Sequence, residues 1–586
     1  NHTGNADGSD YMFAPAVTGI GTIEHLAGRT VLTGSNTADS RFGGTMNIRG
    51  GSVFIDGVFG DTVGNMAAVK VSSGGILYGT GTIAGDLSLS AGGVLSGRQG
   101  QTLSVNGDLT FEADSRFEVE VTPGGADREL VAVSGMATIG GGTVAHVGIT
   151  GAYDPTATYT LLTATGGLGI GSAFDNVTSD FAFLDATIGY EANRVTLTLT
   201  RDGTGFADLA TTPNQIAVAS ALEGLGFGNA LYDAVVQLDE ATAITAFDQL
   251  SGEVHASAVT SLIEDGSLVR HRVNERIRAA FGDAAASAAP GPADGYEGPA
   301  PVPVDGDQPG LTIWSNGYGR WGSTDDDGNA AAADRSSGGF LIGADTLLAD
   351  QLRLGLLAGS SQTGIDVGAR ASEAVVDSYT LAVYGGAQWQ MADGLLSLSG
   401  GLAWSWHDLE TTRSVGFTGF ADSLSAGYDA RTFQSFGELG YEFETDFARF
   451  EPFINLAHIH VGTDGFVESG GAAALTGASG AYGVTFTTLG IRTETSIDLG
   501  QVSARLSGML GWRQALGDTV PGSSLALTGS DAVTIAGSPI SRDALALDAG
   551  LDLDLTSSAS VGLSYQGVFS SSARDDVFTA RLDVRF

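Results

Sequence analysis

The chain has 586 residues, more than one compact core holds, so two or more domains are expected. Its 67 Asp and Glu against 27 Lys and Arg give a net charge of −40, which argues against a nucleic-acid partner, because a phosphate backbone needs cations to neutralise it. The absence of Cys excludes disulfides and thiolate metal sites, and 88 Gly beside only 13 Pro favour turns and stacked β rungs over collagen or a proline-rich linker.

The chain opens Asn-His-Thr-Gly, which reads as the start of a processed or trimmed product. Over residues 1–205 double glycines recur at Gly43-Gly44, Gly50-Gly51, Gly74-Gly75 and Gly92-Gly93, each followed by a short β-rich run such as Ile76 to Tyr78 or Val94 to Ser96. Glycine at corners with Val, Ile, Leu and Phe inside, repeating about every twenty residues, is what a right-handed parallel β-helix needs. A β-sandwich also uses short strands at even spacing and is the alternative.

Residues 206–282 change period. Ile216, Val218, Ala219 and Leu222, then Leu231, Ala234 and Val235, then Ile244, Phe247 and Leu250 fall three and four apart, broken by Gly224, Gly226 and Gly228, and predict short helices. One longer helix is predicted over about 253–280. At 1.5 Å per residue it is roughly 42 Å long, close to the about 40–45 Å of a bilayer with its headgroups. It carries Glu253, Arg270, Arg272, Asn274, Arg276 and Arg278. Residues 283–310, rich in Ala, Pro, Gly and Asp, predict a disordered connector.

From residue 311 to 586 the period is two, and twelve strands are predicted, starting near Leu311, Gly338, Gln351, Ala374, Leu395, Ala430, Arg449, Ala481, Gln501, Asp543, Ala559 and Arg574. Leu545, Leu547, Ala549, Leu551 and Leu553 form one face of the tenth, while Asp548, Asp552 and Asp554 form the other. Strands apolar outside and polar inside describe a membrane barrel with a wet lumen. No run reaches the about eighteen apolar residues of a transmembrane helix, so any bilayer is crossed by strands. The fold expected is therefore all-β: a 12-stranded antiparallel transmembrane β-barrel with an α-helix through its pore, preceded by the β-helix stem. Glu438, Glu442, Asp548, Asp552, Asp554 and Asp583 are the predicted lumen-facing carboxylates, available to the arginines of the pore helix.

Three stretches carry a family resemblance. Gly74 to Val121 with Thr158 to Gly167 and Phe174 to Arg201 is similar to the junction region of autotransporter passengers. Ser251 to Asp283 is similar to their pore linker, and WSNGYGRWG (Trp314 to Gly322), GGFLIGAD (Gly338 to Asp345) and the terminal RLDVRF are similar to their barrels. The chain thus resembles the C-terminal part of a classical monomeric autotransporter of type V secretion, with a pertactin-like stem. The resemblance implies a translocator that anchors in the Gram-negative outer membrane and displays its own passenger, the stem being extracellular and its membrane-proximal end assisting folding. It implies a monomer whose partners are outer-membrane lipid and lipopolysaccharide, the barrel-assembly machinery, periplasmic chaperones and its own passenger. Phe578, Leu582, Val584 and Phe586 would form the assembly signal. A surface adhesin acting through the stem, or a plugged porin-like channel, is the alternative function.

No enzyme activity, cofactor or metal is expected from these residues. Gly-x-Ser-x-Gly and His-Glu-x-x-His are absent, and Asp265-Gly266-Ser267-Leu268 has the lipolytic Gly-Asp-Ser-Leu residues in the wrong order inside a helix; a catalytic passenger would precede residue 1. His458 and His460 share a strand face but give only two ligands. Asp325-Asp326-Asp327-Gly328-Asn329 lacks the spacing and distal Glu of a calcium loop and reads as a hairpin tip. Some autotransporters cut their linker at an Asn-Asn pair. Val273-Asn274-Glu275-Arg276 resembles that neighbourhood, but this chain has no Asn-Asn pair, so the stem is expected to stay attached.

Overall fold

The computed structural model describes residues 10–34, 42–61, 67–98, 100–121, 129–148, 158–281, 311–349, 351–498, 503–556 and 559–584. The connector expected at 283–310 and the terminal Phe586 lie outside them. Two compact units are present: 1–209 with 226–245 and 417–420, and 210–225 with 246–416 and 421–586.

The first unit is a parallel β-helix. Successive coils contribute strands to three sheets of eight, six and seven strands, nearly all parallel. One inward column runs through Ile48, Val71, Leu89, Phe111 and Ile139, each the register partner of the next. All five are essentially buried. Stacked coils thus share one continuous apolar core, which no single coil could form alone. The double glycines sit at corners for two separate reasons. Gly74 has φ 88°, and a Cβ on Gly75 would run into the carbonyl of Ile48 in the preceding coil. Stacking ends where Leu184–Tyr190 and Arg194–Arg201 pair antiparallel and Arg194–Arg201 joins Thr158–Ala164. Phe183, Phe206 and Tyr232 pack below this hairpin, and Arg201 lies over the rings of Phe183 and Phe206.

The second unit is a closed barrel of twelve strands: Thr312–Thr324, Ala333–Ala349, Leu352–Val367, Ser372–Met391, Gly394–Phe417, Phe420–Glu444, Arg449–Thr463, Gly480–Asp498, Ser503–Gly517, Asp543–Thr556, Ala559–Phe569 and Ala573–Val584. Trp321–Thr324 pairs with Ala573–Asp576 at the seam. Exposed rows such as Leu354, Leu356, Leu381, Val383, Leu402, Leu489, Leu506 and Leu510, with Trp404, Trp406 and Trp512, form the apolar outer face. Two strands begin well before their predicted starts, the second at Ala333 rather than Gly338 and the sixth at Phe420 rather than Ala430, and the others start within two residues of them. The fifth and sixth continue above the apolar band with Asp408, Glu410 and Thr412 exposed, and turn only at Thr418-Gly419, where Gly419 has φ 83°.

Connections at one end of the barrel are short, as at 392–393 and 445–448. At the other end the seventh and eighth strands, and the ninth and tenth, are joined by long loops. These loops fold into a four-stranded sheet of Phe466–Val467, Leu475–Gly477, Gly522–Leu527 and Val533–Ala536, an element the sequence reading does not contain. The linker forms helices Pro213–Glu223, Ala230–Val235 and Glu240–Leu250, and then Glu253–Ala280. The first carries a capping box in which Thr212 and Gln215 satisfy each other's backbone amides.

Candidate functional site: the helix-filled lumen

Helix Glu253–Ala280 lies inside the barrel. Val269, Val273 and Ile277 form its apolar stripe, packed against Trp314, Leu341, Leu357, Tyr384 and Phe436 of the wall. Val254, Val259, Leu262 and Ile263 are buried nearer its start, and the charged side chains between these apolar positions need partners from the inward faces of the strands.

At the long-loop end the helix supplies carboxylates and the barrel supplies guanidinium groups. Glu253 accepts from Arg370 Nε at 3.0 Å and from the amide of Ala331 at 2.8 Å. Two residues on, His255 meets Glu468 at 3.0 Å and the Tyr428 hydroxyl at 3.2 Å. Glu264 receives both terminal nitrogens of Arg513, at 3.0 and 3.1 Å. Asp265 accepts from Thr363 at 2.8 Å and lies 3.5 Å from Arg320. Arg320 in turn donates to the Glu264 carbonyl and, with Arg335, holds Asp575 of the last strand.

Towards the short-turn end the polarity reverses. Arg276 donates to both oxygens of Asp345, at 2.7 and 2.9 Å, and that carboxylate is also held by Arg353 and the Tyr384 hydroxyl. Arg278 donates to Glu438 at 2.9 Å, Asn274 reaches the same carboxylate at 3.2 Å, and Arg492 and Asn455 complete its shell. Asn274 also accepts from Ser399. Acid at the helix N-terminus and base at its C-terminus match the helix dipole. Buried charges of this kind give little net stability against an apolar replacement, but losing one partner costs about 3–5 kcal/mol, so they select one arrangement.

Several predicted residues have partners other than those expected. Arg270 donates to the neutral Gln434 and lies over Phe486, and Arg272 pairs with Glu275 of its own helix. Glu442 pairs with Arg449. With Asp548 and Asp552 it lines a cavity of about 110 Å³ beside Arg272 and Arg278. Asp554 and Asp583 lie on the tenth and twelfth strands, and Phe578, Leu582 and Val584 on the last, but their side chains are outside the described set. His458 and His460 are exposed, His458 bonded to Thr485; among the described residues no group of three or more His, Asp or Glu could hold a metal. Asp327 accepts from the amides of Asn329 and Ala330, closing a hairpin tip.

Sequence reading sought wall carboxylates for helix arginines and so missed the converse set, Arg320, Arg370 and Arg513. A signal existed: Arg320 and Arg513 stand in alternating strands at inward positions, where an unpaired cation is untenable. Asp345 also occupies an inward position, two residues beyond Gly343.

A family model described as "Autotransporter beta-domain" matches residues 313–566. The chain belongs to the autotransporter family. It is 30% identical over 613 residues to an extracellular serine protease of Serratia marcescens, covering 96% of this chain and 55% of that protein. A second extracellular serine protease of Serratia marcescens is 29% identical over 577 residues, covering 88% of this chain and 53% of its own. The chain therefore spans about half the length of the curated relatives it matches. Among solved structures, the translocator domain of autotransporter NalP from Neisseria meningitidis is similar with a TM-score of 0.37 at 14% identity, covering 48% of this chain and 90% of that one. The barrel of this autotransporter is an outer-membrane translocator, and a helix occupies its lumen.

Proposed function

We propose that this autotransporter anchors itself in the outer membrane through residues 311–586 and carries its N-terminal residues to the cell surface, retaining helix Glu253–Ala280 in the pore. The observation that supports this best is the direction of the helix: Glu253 is at the long-loop end and Arg278 nearer the short turns, so the chain before the helix leaves at the outer mouth. Short turns on the periplasmic side and long loops outside are the rule for such barrels. Residues 1–205 then act as stem, 206–282 as linker, and the chain functions as a monomer.

Protease added to intact cells tests this. Cleavage should remove the β-helix and leave a membrane fragment containing the barrel. Cleavage of the stem only after the outer membrane is permeabilised would defeat the reading.

The names of the two Serratia relatives suggest proteolysis as the activity of a passenger joined to this stem. We also propose that Phe578, Leu582, Val584 and Phe586 serve recognition by the barrel-assembly machinery, after handling by periplasmic chaperones, with lipopolysaccharide and lipid as the final surroundings. Deleting Phe586 should lower the amount of heat-modifiable barrel; unchanged levels on truncation to Val584 would refute that role.

A further inference from the structure

The four-stranded sheet in the long loops has its apolar side turned to the helix. Leu475, Leu525, Leu527 and Ile535 are all buried. A small sheet is marginal unless something covers its apolar face. Here helix Pro213–Glu223 packs against strands Gly522–Leu527 and Val533–Ala536, and the first turns of the pore helix complete the cover: a Cβ on Gly252 would collide with Leu475 Cδ1 and come within 3.2 Å of Leu525, and one on Gly537 would collide with the backbone at Ala256. Ser538 donates its amide to Ser257 and accepts from Thr260 at its carbonyl. Upstream, the Asn214 side chain makes paired bonds of 2.9 Å with the amide and carbonyl of Ala536.

The most buried contact is His255. Its ring is stacked on Phe466 at 4.0 Å between centroids, Phe466 is stacked on Tyr428 at 4.6 Å, and Glu468 bridges the imidazole to Arg413. Glu468 also accepts the amide of Leu475, which ties the two loop strands Phe466–Val467 and Leu475–Gly477 to this cluster. Barrel and loops build the slot from Tyr428, Phe466, Glu468 and Arg413; the helix brings the side chain that fills it. A passenger segment still in transit presents neither Gly252 nor His255 at this height.

We propose that the loop sheet is a latch that closes at the end of export. It completes its apolar cover and gains its buried imidazole only when Gly252–Thr260 reaches the outer mouth, and it then holds the helix against slipping back. This rests on the export reading above.

The chain has no native Cys, so single cysteines report cleanly. Ala473, fully buried beside Arg413, is placed to sense closure, and exposed Lys70 to sense arrival of the stem at the surface. Full-length Lys70→Cys and Ala473→Cys chains are pulse-labelled in cells and treated at intervals with a membrane-impermeant maleimide. The expected order is that Lys70→Cys becomes reactive first and that Ala473→Cys, reactive early, becomes protected afterwards. Adding His255→Ala, which leaves the Arg413–Glu468 pair of the barrel intact, should keep Ala473→Cys at least several-fold more reactive after export. His255→Gln, whose amide can still donate to Glu468, should restore part of the protection. Protection of Ala473→Cys from its first appearance, or full protection in the His255→Ala chain, would overturn the latch. Failure of Lys70→Cys ever to react on intact cells would instead overturn export itself.

Discussion

Arg276 and Asp345 face each other across the lumen as a two-bond fork, guanidinium to carboxylate, and Asp345 holds Arg353 and Tyr384 at the same time. One wall carboxylate therefore fixes the helix to the second strand and the second strand to the third and fourth. Asp345→Ala would leave two buried guanidinium groups without this partner, a loss of about 3–5 kcal/mol. The expected result is a lower denaturant midpoint together with raised single-channel conductance in planar bilayers. Unchanged values of both would mean that the pair only decorates the lumen.

The pair of Glu264 with Arg513 tests the opposite polarity near the outer mouth. Glu264→Gln and Arg513→Gln should each destabilise, and the double variant should lose less than the sum, with a coupling of about 0.5–3 kcal/mol. Additive losses would show that the two groups are held by the surrounding cluster of Arg320, Arg335 and Asp575 and not by each other.

What the sequence revealed follows from which interactions are local. Alternation is a property of each strand alone, so twelve strands, their outer faces and the helical period of the linker were legible. The β-helix was legible because Gly50-Gly51, Gly74-Gly75 and Gly92-Gly93 mark the same corner in successive coils. Partner choice was not legible: whether Arg276 meets Asp345 or Asp548 depends on strand stagger, which no single strand encodes. The loop sheet escaped notice because strands as short as Phe466–Val467 and Leu475–Gly477 are too brief to show an alternating pattern.

Glu468 lies in a surface loop outside the membrane span. Burial by itself would raise its carboxyl, but hydrogen bonds from His255 and Arg413, and their charges, bring it down from 4.5 to about 2. A depressed carboxyl contributes stability above its unfolded value and loses it as pH falls through the folded one. Susceptibility of the loops to an acid-active protease should therefore rise between about pH 4.5 and 2, and this rise should be smaller in Glu468→Gln. Identical profiles would assign the acid response to other carboxylates.

Gly75 provides a test in the stem. Its side-chain position is filled by the backbone of the preceding coil at Ile48, and its register partner is Gly51. Gly75→Val should cost about 1–3 kcal/mol through overpacking and lower the melting temperature of the stem, leaving the denaturant midpoint of the barrel unchanged. A stem that melts as before would mean that the coils can slide apart to admit a side chain.

Acid at the head of the pore helix and base at its tail, matched by base and then acid up and down the wall, bear on how such proteins can diversify. A passenger can be exchanged anywhere before Gly252 without touching this correspondence. The helix itself cannot be exchanged so freely, because Glu264, Arg276 and Arg278 read residues on three different strands and Glu253 reads Arg370 in the turn between two others. Helix and barrel are thus inherited as one unit, and a chimera joined within Glu253–Ala280 should fail where one joined upstream succeeds.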